Sequence, residues 1–141
     1  MATNNIFVNL PVEDLERATS FYTALGYTVN PNFSDEKAAN IRLSDSIYLM
    51  LLVKPYFSTF TDREVVDPRR SAEVLNSLGV DSREEVDAFA ARAVAAGGAE
   101  LGDPEDYGFM YSRDIEDPDG HAWQIMWMDP VAAENGPPAA A

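Results

Sequence analysis

The feature that most constrains this chain is a repeat. FVNLPVEDLERATSFYTALG (Phe7–Gly26) and LNSLGVDSREEVDAFAARAVAAGG (Leu75–Gly98) follow one plan. A shift of 68 positions sets Phe7 on Leu75, Asn9 on Ser77, Leu10 on Leu78, Val12 on Val80 and Phe21 on Phe89. Each copy reads as a short apolar strand, a polar corner and an amphipathic helix. The 141 residues are one domain's worth of chain, or two small modules sharing a core.

The helices carry their own boundaries. Leu15, Ala18, Phe21, Tyr22 and Leu25 recur at helical spacing behind an N-cap at Asp14, and Gly26 stops the run. In the second copy Ser82 and Glu85 form a capping box ahead of Val86, Phe89, Ala90 and Ala93, and Gly97-Gly98 ends it. Strands are predicted at Tyr27–Ser34, Lys37–Ser44 and Ser46–Lys54, then weakly near Glu100, and at Gly108–Ile115 and His121–Met128. The chain therefore divides into a first βαβββ module (5–54), an aromatic-rich connection (55–71), a second module (72–130) and a low-complexity tail (131–141) expected to be disordered.

The last strand holds the sole histidine. Asp117-Pro118-Asp119-Gly120 is turn chemistry, and HAWQIMWM after it has no breaker. Alternation puts His121, Trp123, Ile125 and Trp127 on one face, bulky enough to lie under a helix, and Gln124, Met126 and Met128 on the other. His121 is thus expected to be a strand-end side chain rather than a ligand.

Composition narrows the function classes. Without cysteine there is no disulfide, thiolate metal site or cysteine nucleophile, which fits a cytoplasmic protein. No apolar run reaches membrane-spanning length, and no secretory signal opens the chain. A net charge of −14 opposes nucleic-acid binding. It steers cations toward the surface, although an acidic surface also serves solubility alone.

A paired βαβββ plan of the α+β class, with NLPVEDLERATSFYTALGY at the first strand and helix and EDPDGHAWQIMW at the last hairpin, resembles the vicinal oxygen chelate superfamily. That superfamily includes glyoxalase I, extradiol dioxygenases and the fosfomycin and bleomycin resistance proteins; the nearest likeness is to small predicted lactoylglutathione lyase-like proteins. The resemblance runs from about Ile6 to Pro130. It implies two curled sheets facing each other around one small-molecule site, often in a homodimer. In metal-using members, ligands come from the first and last strands of each module. The matching positions here are Phe7, Met50, Leu75 and Gln124, of which three lack a donor for a hard or borderline ion. No metal or other cofactor is therefore expected, unless Glu73 reaches in beside Gln124.

Alternation then gives the residues expected to line the cup: Phe7, Asn9, Asn40, Arg42, Tyr48, Met50, Leu75, Ser77, Gln124 and Met126, with Leu52 and Met128. Tyr56, Phe57 and Phe60 of the connection, with Tyr107 and Tyr111, are placed at its mouth. Three readings compete. One is a metal-free protein that binds a small organic molecule, a cationic one being favoured by the acidic surface. Another is a glyoxalase-like or dioxygenase-like enzyme; without metal it would use Tyr107 or Tyr111 as acid and Arg42 as anion anchor. The last is a dimeric interaction module with a vestigial cup.

Overall fold

The computed structural model describes residues 1–138. The first module comprises β1 (Ile6–Val12), α1 (Leu15–Ala24), β2 (Thr28–Asn30), β3 (Ala38–Arg42) and β4 (Ile47–Val53). A single turn, α2 (Lys54–Phe57), opens the connection. The second module has β5 (Asn76–Gly79), α3 (Arg83–Ala95), β6 (Ala99–Asp106), β7 (Met110–Glu116) and β8 (Ala122–Met128), and α4 (Pro130–Asn135) follows it. The sheets run β1-β4-β3-β2 and β5-β8-β7-β6, with the first and last strand of each module parallel and the other pairs antiparallel. The repeat in sequence is a repeat in topology.

Both helices start as their caps dictate. The Asp14 carboxylate accepts from Arg17 N at 3.1 Å, and Ser82 Oγ from Glu85 N at 3.1 Å. Glu85 reaches back to accept from Asp81 N at 2.9 Å. Gly26, at φ 105°, takes the left-handed turn that ends the first helix's run.

Three expectations need correction. β2 stops at Asn30, because Pro31 lacks the N–H a ladder needs and opens a 3₁₀ turn over Pro31–Phe33. The strand read as weak near Glu100 extends over eight residues, all exposed, at the sheet edge with a register shift between Leu101 and Glu105. An edge strand needs one hydrogen-bonded neighbour and no apolar face, so its polarity hid it. The tail is not disordered throughout: Asp129 caps Val131 N at 2.9 Å, Pro130 opens α4, and Ala132 is buried. Residues 139–141 lie outside those described.

The helix-facing sides of both sheets share one core. Leu10, Val12, Ile41, Leu49 and Leu51 from the first sheet join Ile115, Trp123 and Ile125 from the second around Phe21, Tyr22, Val86 and Phe89 of α1 and α3. Burying a side chain of this size stabilises by about 1.5–3 kcal/mol. The modules approach so closely that a Cβ on Gly98 would stand 2.8 Å from Phe21 Cε2 and 2.5 Å from the Glu116 carbonyl oxygen.

A polar clasp crosses this core. Tyr22 Oη donates to Asp117 Oδ2 at 2.7 Å and accepts from Trp123 Nε1 at 3.0 Å. Asp117 Oδ1 accepts from Asp119 N and His121 N, at 3.0 and 2.9 Å. Asp119 in turn accepts from Glu13 N at 2.9 Å and Arg17 Nη2 at 3.2 Å, while His121 Nε2 lies 2.7 Å from the Pro11 carbonyl oxygen. The turn of the second module thereby grips the end of β1 and the start of α1. His121 is occupied in that grip, as a strand-end residue.

Candidate functional site

The faces away from the helices are less covered, and register arranges them in rows. Ser77, Gln124, Asp114 and Leu101 are consecutive cross-strand partners over β5, β8, β7 and β6. All four line one hollow of about 290 Å³ with Leu75, Ala122 and Trp123. The corresponding row of the first sheet is Asn9, Met50, Asn40 and Asn30. Residues of the second module alone line this hollow.

The second row is chemically unfinished. Ser77 Oγ donates to Gln124 Oε1 at 2.9 Å. Asp114 Oδ1 is buried without a hydrogen-bond partner. Burial pushes the Asp114 carboxyl above the usual carboxylate range and the charge of Glu105 adds to this, while a hydrogen bond from Gln124 pulls the other way. A buried acceptor without a donor is costly, on the order of 1–3 kcal/mol, and a donor brought by a ligand would recover that cost. The first row shows the same incompleteness: Asn40, 4% exposed, donates through Nδ2 to Met50 Sδ at 3.0 Å, and its Oδ1 has no partner.

The expected cup residues fall into distinct groups. Phe7 and Tyr48 stack on the open face of the first sheet, centroids 4.9 Å apart, and Phe7 is 51% exposed. Asn9 donates to the Phe7 carbonyl oxygen at 3.4 Å. Arg42 is tied to Ser44 and Asp45 of the adjoining hairpin. Met126 pairs with Ser112 and Gly79, one row beyond Gln124 and on the same face. Tyr56 packs edge-on to Phe60, with Lys37 over its ring.

Tyr107 donates to Glu105 at 3.0 Å in the β6–β7 hairpin. Tyr111 corrects the expectation of a mouth residue: it donates to Asp87 of α3 at 2.6 Å, under Arg83, on the helix-facing side. Period-two alternation puts Tyr111 opposite Asp114 and Ser112. Asp114 itself escaped the reading by residue type, because β7 was not split into faces; counting alternation back from Ile115 would have found it.

The donor set does not fit the metal that the superfamily resemblance brings to mind. The row supplies one carboxylate, one amide and one hydroxyl. Among the described residues no three histidine, aspartate or glutamate side chains converge, and there is no cysteine. Iron, nickel and zinc sites need several nitrogen, sulfur or carboxylate donors. Glu73 lines a different cavity, of about 350 Å³, roofed by the connection and floored by Leu10, Pro11, His121 and Ala122. A shallower hollow of about 800 Å³ beside α1 is rimmed by Glu13, Asp14, Glu16, Asp35 and Glu36. It is a solvated acidic surface with no buried polar group aimed into it.

Comparison with known proteins agrees with this architecture. Residues 5–44 match the family profile of the bleomycin resistance protein-like N-terminal domain. A hypothetical protein of S. aureus superposes with a TM-score of 0.76 at 28% identity, covering 90% of this chain and 95% of that one. A glyoxalase/bleomycin resistance protein/dioxygenase family enzyme from Burkholderia phytofirmans PsJN gives 0.71 at 17% identity, covering 86% and 96%. The bleomycin resistance determinant encoded on transposon Tn5 gives 0.63 at 21% identity, covering 90% and 99%. No curated protein matches the sequence. The last two likenesses are of fold.

Proposed function

We propose that this chain, which has the vicinal oxygen chelate fold, binds a small organic molecule against the Ser77–Gln124–Asp114 row without the help of a metal ion. One observation carries the reading: Asp114, whose Oδ1 is buried without a partner, is among the residues lining a hollow of about 290 Å³. A ligand that donates a hydrogen bond there satisfies the oxygen, and the apolar walls of Leu75, Leu101 and Trp123 take its body. The charge of −14 favours a cation. The match of the first module to bleomycin resistance-like domains is in keeping with binding rather than chemistry.

The site is completed by a second copy of the chain. Phe7, 51% exposed, and Leu75, 78% exposed, stand on open sheet faces, where apolar side chains gain by being covered. A homodimer that laid one copy's first sheet over the other's second would bring the Asn40 and Asp114 rows together.

A second reading rests on Asp114 alone. A desolvated carboxylate beside an amide is also a general base, so a proton-abstracting enzyme of the glyoxalase-like kind would use it at the same place. Thermal-shift screening of small organic cations and neutral aromatics separates the cases. Hits whose stabilisation is lost in Gln124→Ala and Asp114→Asn, with the compound recovered intact, support binding. Turnover of a hit that vanishes in Asp114→Asn supports the enzyme. Hits indifferent to both substitutions would refute the site.

A further inference from the structure

The hollow over the row and the cavity under the connection share two walls, Leu75 and Ala122. The two spaces are therefore neighbours along β8, and they differ in chemistry. At the row the uncommitted group is an acceptor: Gln124 Oε1 already receives Ser77, whereas Asp114 Oδ1 receives nothing. With Glu105 close enough to raise the charge cost of Asp114, an anionic head is excluded and a donor is required.

Under the connection much of the wall is hydrocarbon, supplied by Leu10, Pro11, Val65, Val66 and Val74, with the charged Arg63, Glu64 and Glu73 also among the lining residues. His121, the polar group on the floor, has Nε2 turned to the Pro11 carbonyl. Val66 and Val74 remain 56% and 64% exposed although they line a cavity, so apolar surface there is waiting for cover. The roof is held in place by Arg69, whose Nη2 donates to the Pro118 carbonyl oxygen at 2.8 Å and whose Cγ would sit 2.6 Å from a Cβ on Gly120. Along β8, the Gln124 and Ala122 rows are about 7 Å apart at strand rise, a distance on the order of six carbons.

Building on the binding role assigned to the row, we propose that the ligand is an amphipathic amine, its ammonium on Asp114 and its hydrocarbon tail laid past Leu75 and Ala122 into the cavity beneath residues 61–74. The head recovers the unpaired carboxylate oxygen and is drawn in by the acidic surface. The tail covers the valines of the roof.

The test is calorimetric titration of the full-length chain with butylamine, hexylamine and octylamine, and with hexanol and hexanoate as head-group controls. The expected affinity rises by about two- to fourfold per methylene, with hexylamine above hexanol and hexanoate weakest. Val66→Trp, a filling substitution at an exposed position, is expected to abolish the dependence on chain length. Asp114→Asn is expected to bring hexylamine down to hexanol while the dependence on length persists.

Amine affinity independent of length, or indifferent to Val66→Trp, overturns the tail assignment and leaves the row intact as a binding site. Hexylamine no tighter than hexanol overturns the head assignment. Binding that survives both Asp114→Asn and Gln124→Ala overturns the inference together with the site on which it rests. Failure of every amine to bind overturns the inference alone, because the row is still open to the other molecules of the screen.

Discussion

At the scale of single residues, two aspartates near one hairpin have opposite duties. Asp117 is 1% exposed and accepts three hydrogen bonds, so Asp117→Ala leaves Tyr22 Oη and two backbone N–H groups stranded in the core. We expect a loss of about 3–5 kcal/mol in urea unfolding, and Tyr22→Phe to lose about 1–3 kcal/mol through Trp123 Nε1 and Asp117. Asp114 Oδ1 has no partner within the chain, and on the proposed function a ligand supplies one. Its carboxyl is raised in the folded state, so ionisation there works against folding: the penalty is absent below the unfolded value and grows as pH rises through the folded one. Asp114→Asn should therefore match or exceed the parent in stability at pH 7, by up to about 1 kcal/mol, and lose ligand. A marked loss of stability would make Asp114 a structural residue. Much of this was legible in sequence. Alternation puts Gln124 and Ser77 on one face, the resemblance points to Gln124 as well, and His121 reads as a strand-end residue. Asp114 was missed because a charged residue between Arg113 and Ile115 looks like solvent-facing surface until β7 is split into its two faces.

At the scale of elements, the modules are joined by close approach as well as by hydrogen bonds. Gly98→Ala drives a methyl into the Glu116 carbonyl and the Phe21 ring, and about 1–3 kcal/mol of destabilisation is expected by chemical denaturation. The start of α3 is pinned to the β6–β7 hairpin by Arg83, which donates to both Asp106 oxygens at 2.8 Å. That guanidinium, with the Gly108 amide, holds the Asp106 carboxyl down at about 2. The folded value lies below the unfolded one, so the contribution is present above about pH 4 and is lost as pH falls toward 2. The slope of stability against pH over that window should flatten in Arg83→Met. Helices and their caps were readable because local spacing and capping chemistry decide them. β6 and α4 were not, because an edge strand is fixed by its neighbour and a six-residue helix by the cap and the core it docks on.

At the scale of the whole molecule, the repeat dictated the architecture, and the two sequence words that carry the family resemblance turn out to be two sides of one clasp. The first supplies Pro11, Glu13, Arg17 and Tyr22, and the second supplies Asp117, Asp119, His121 and Trp123. A pairwise fit of that kind is invisible in either word alone, which is why the relation of the modules was not derivable from periodicity. The open faces extend the same logic to assembly: sedimentation velocity should give a dimer, and Phe7→Asp or Leu75→Asp should shift it to monomer with the fold unchanged by circular dichroism. The central claim is that the Ser77–Gln124–Asp114 row holds a ligand through the protein's own groups and not through an ion. Elemental mass spectrometry on untagged protein prepared without chelators tests it most directly. The account predicts no divalent ion at stoichiometric level and no uptake when ions are added. About one ion per chain, lost in both Gln124→Ala and Asp114→Ala, would contradict it and make the row a metal centre.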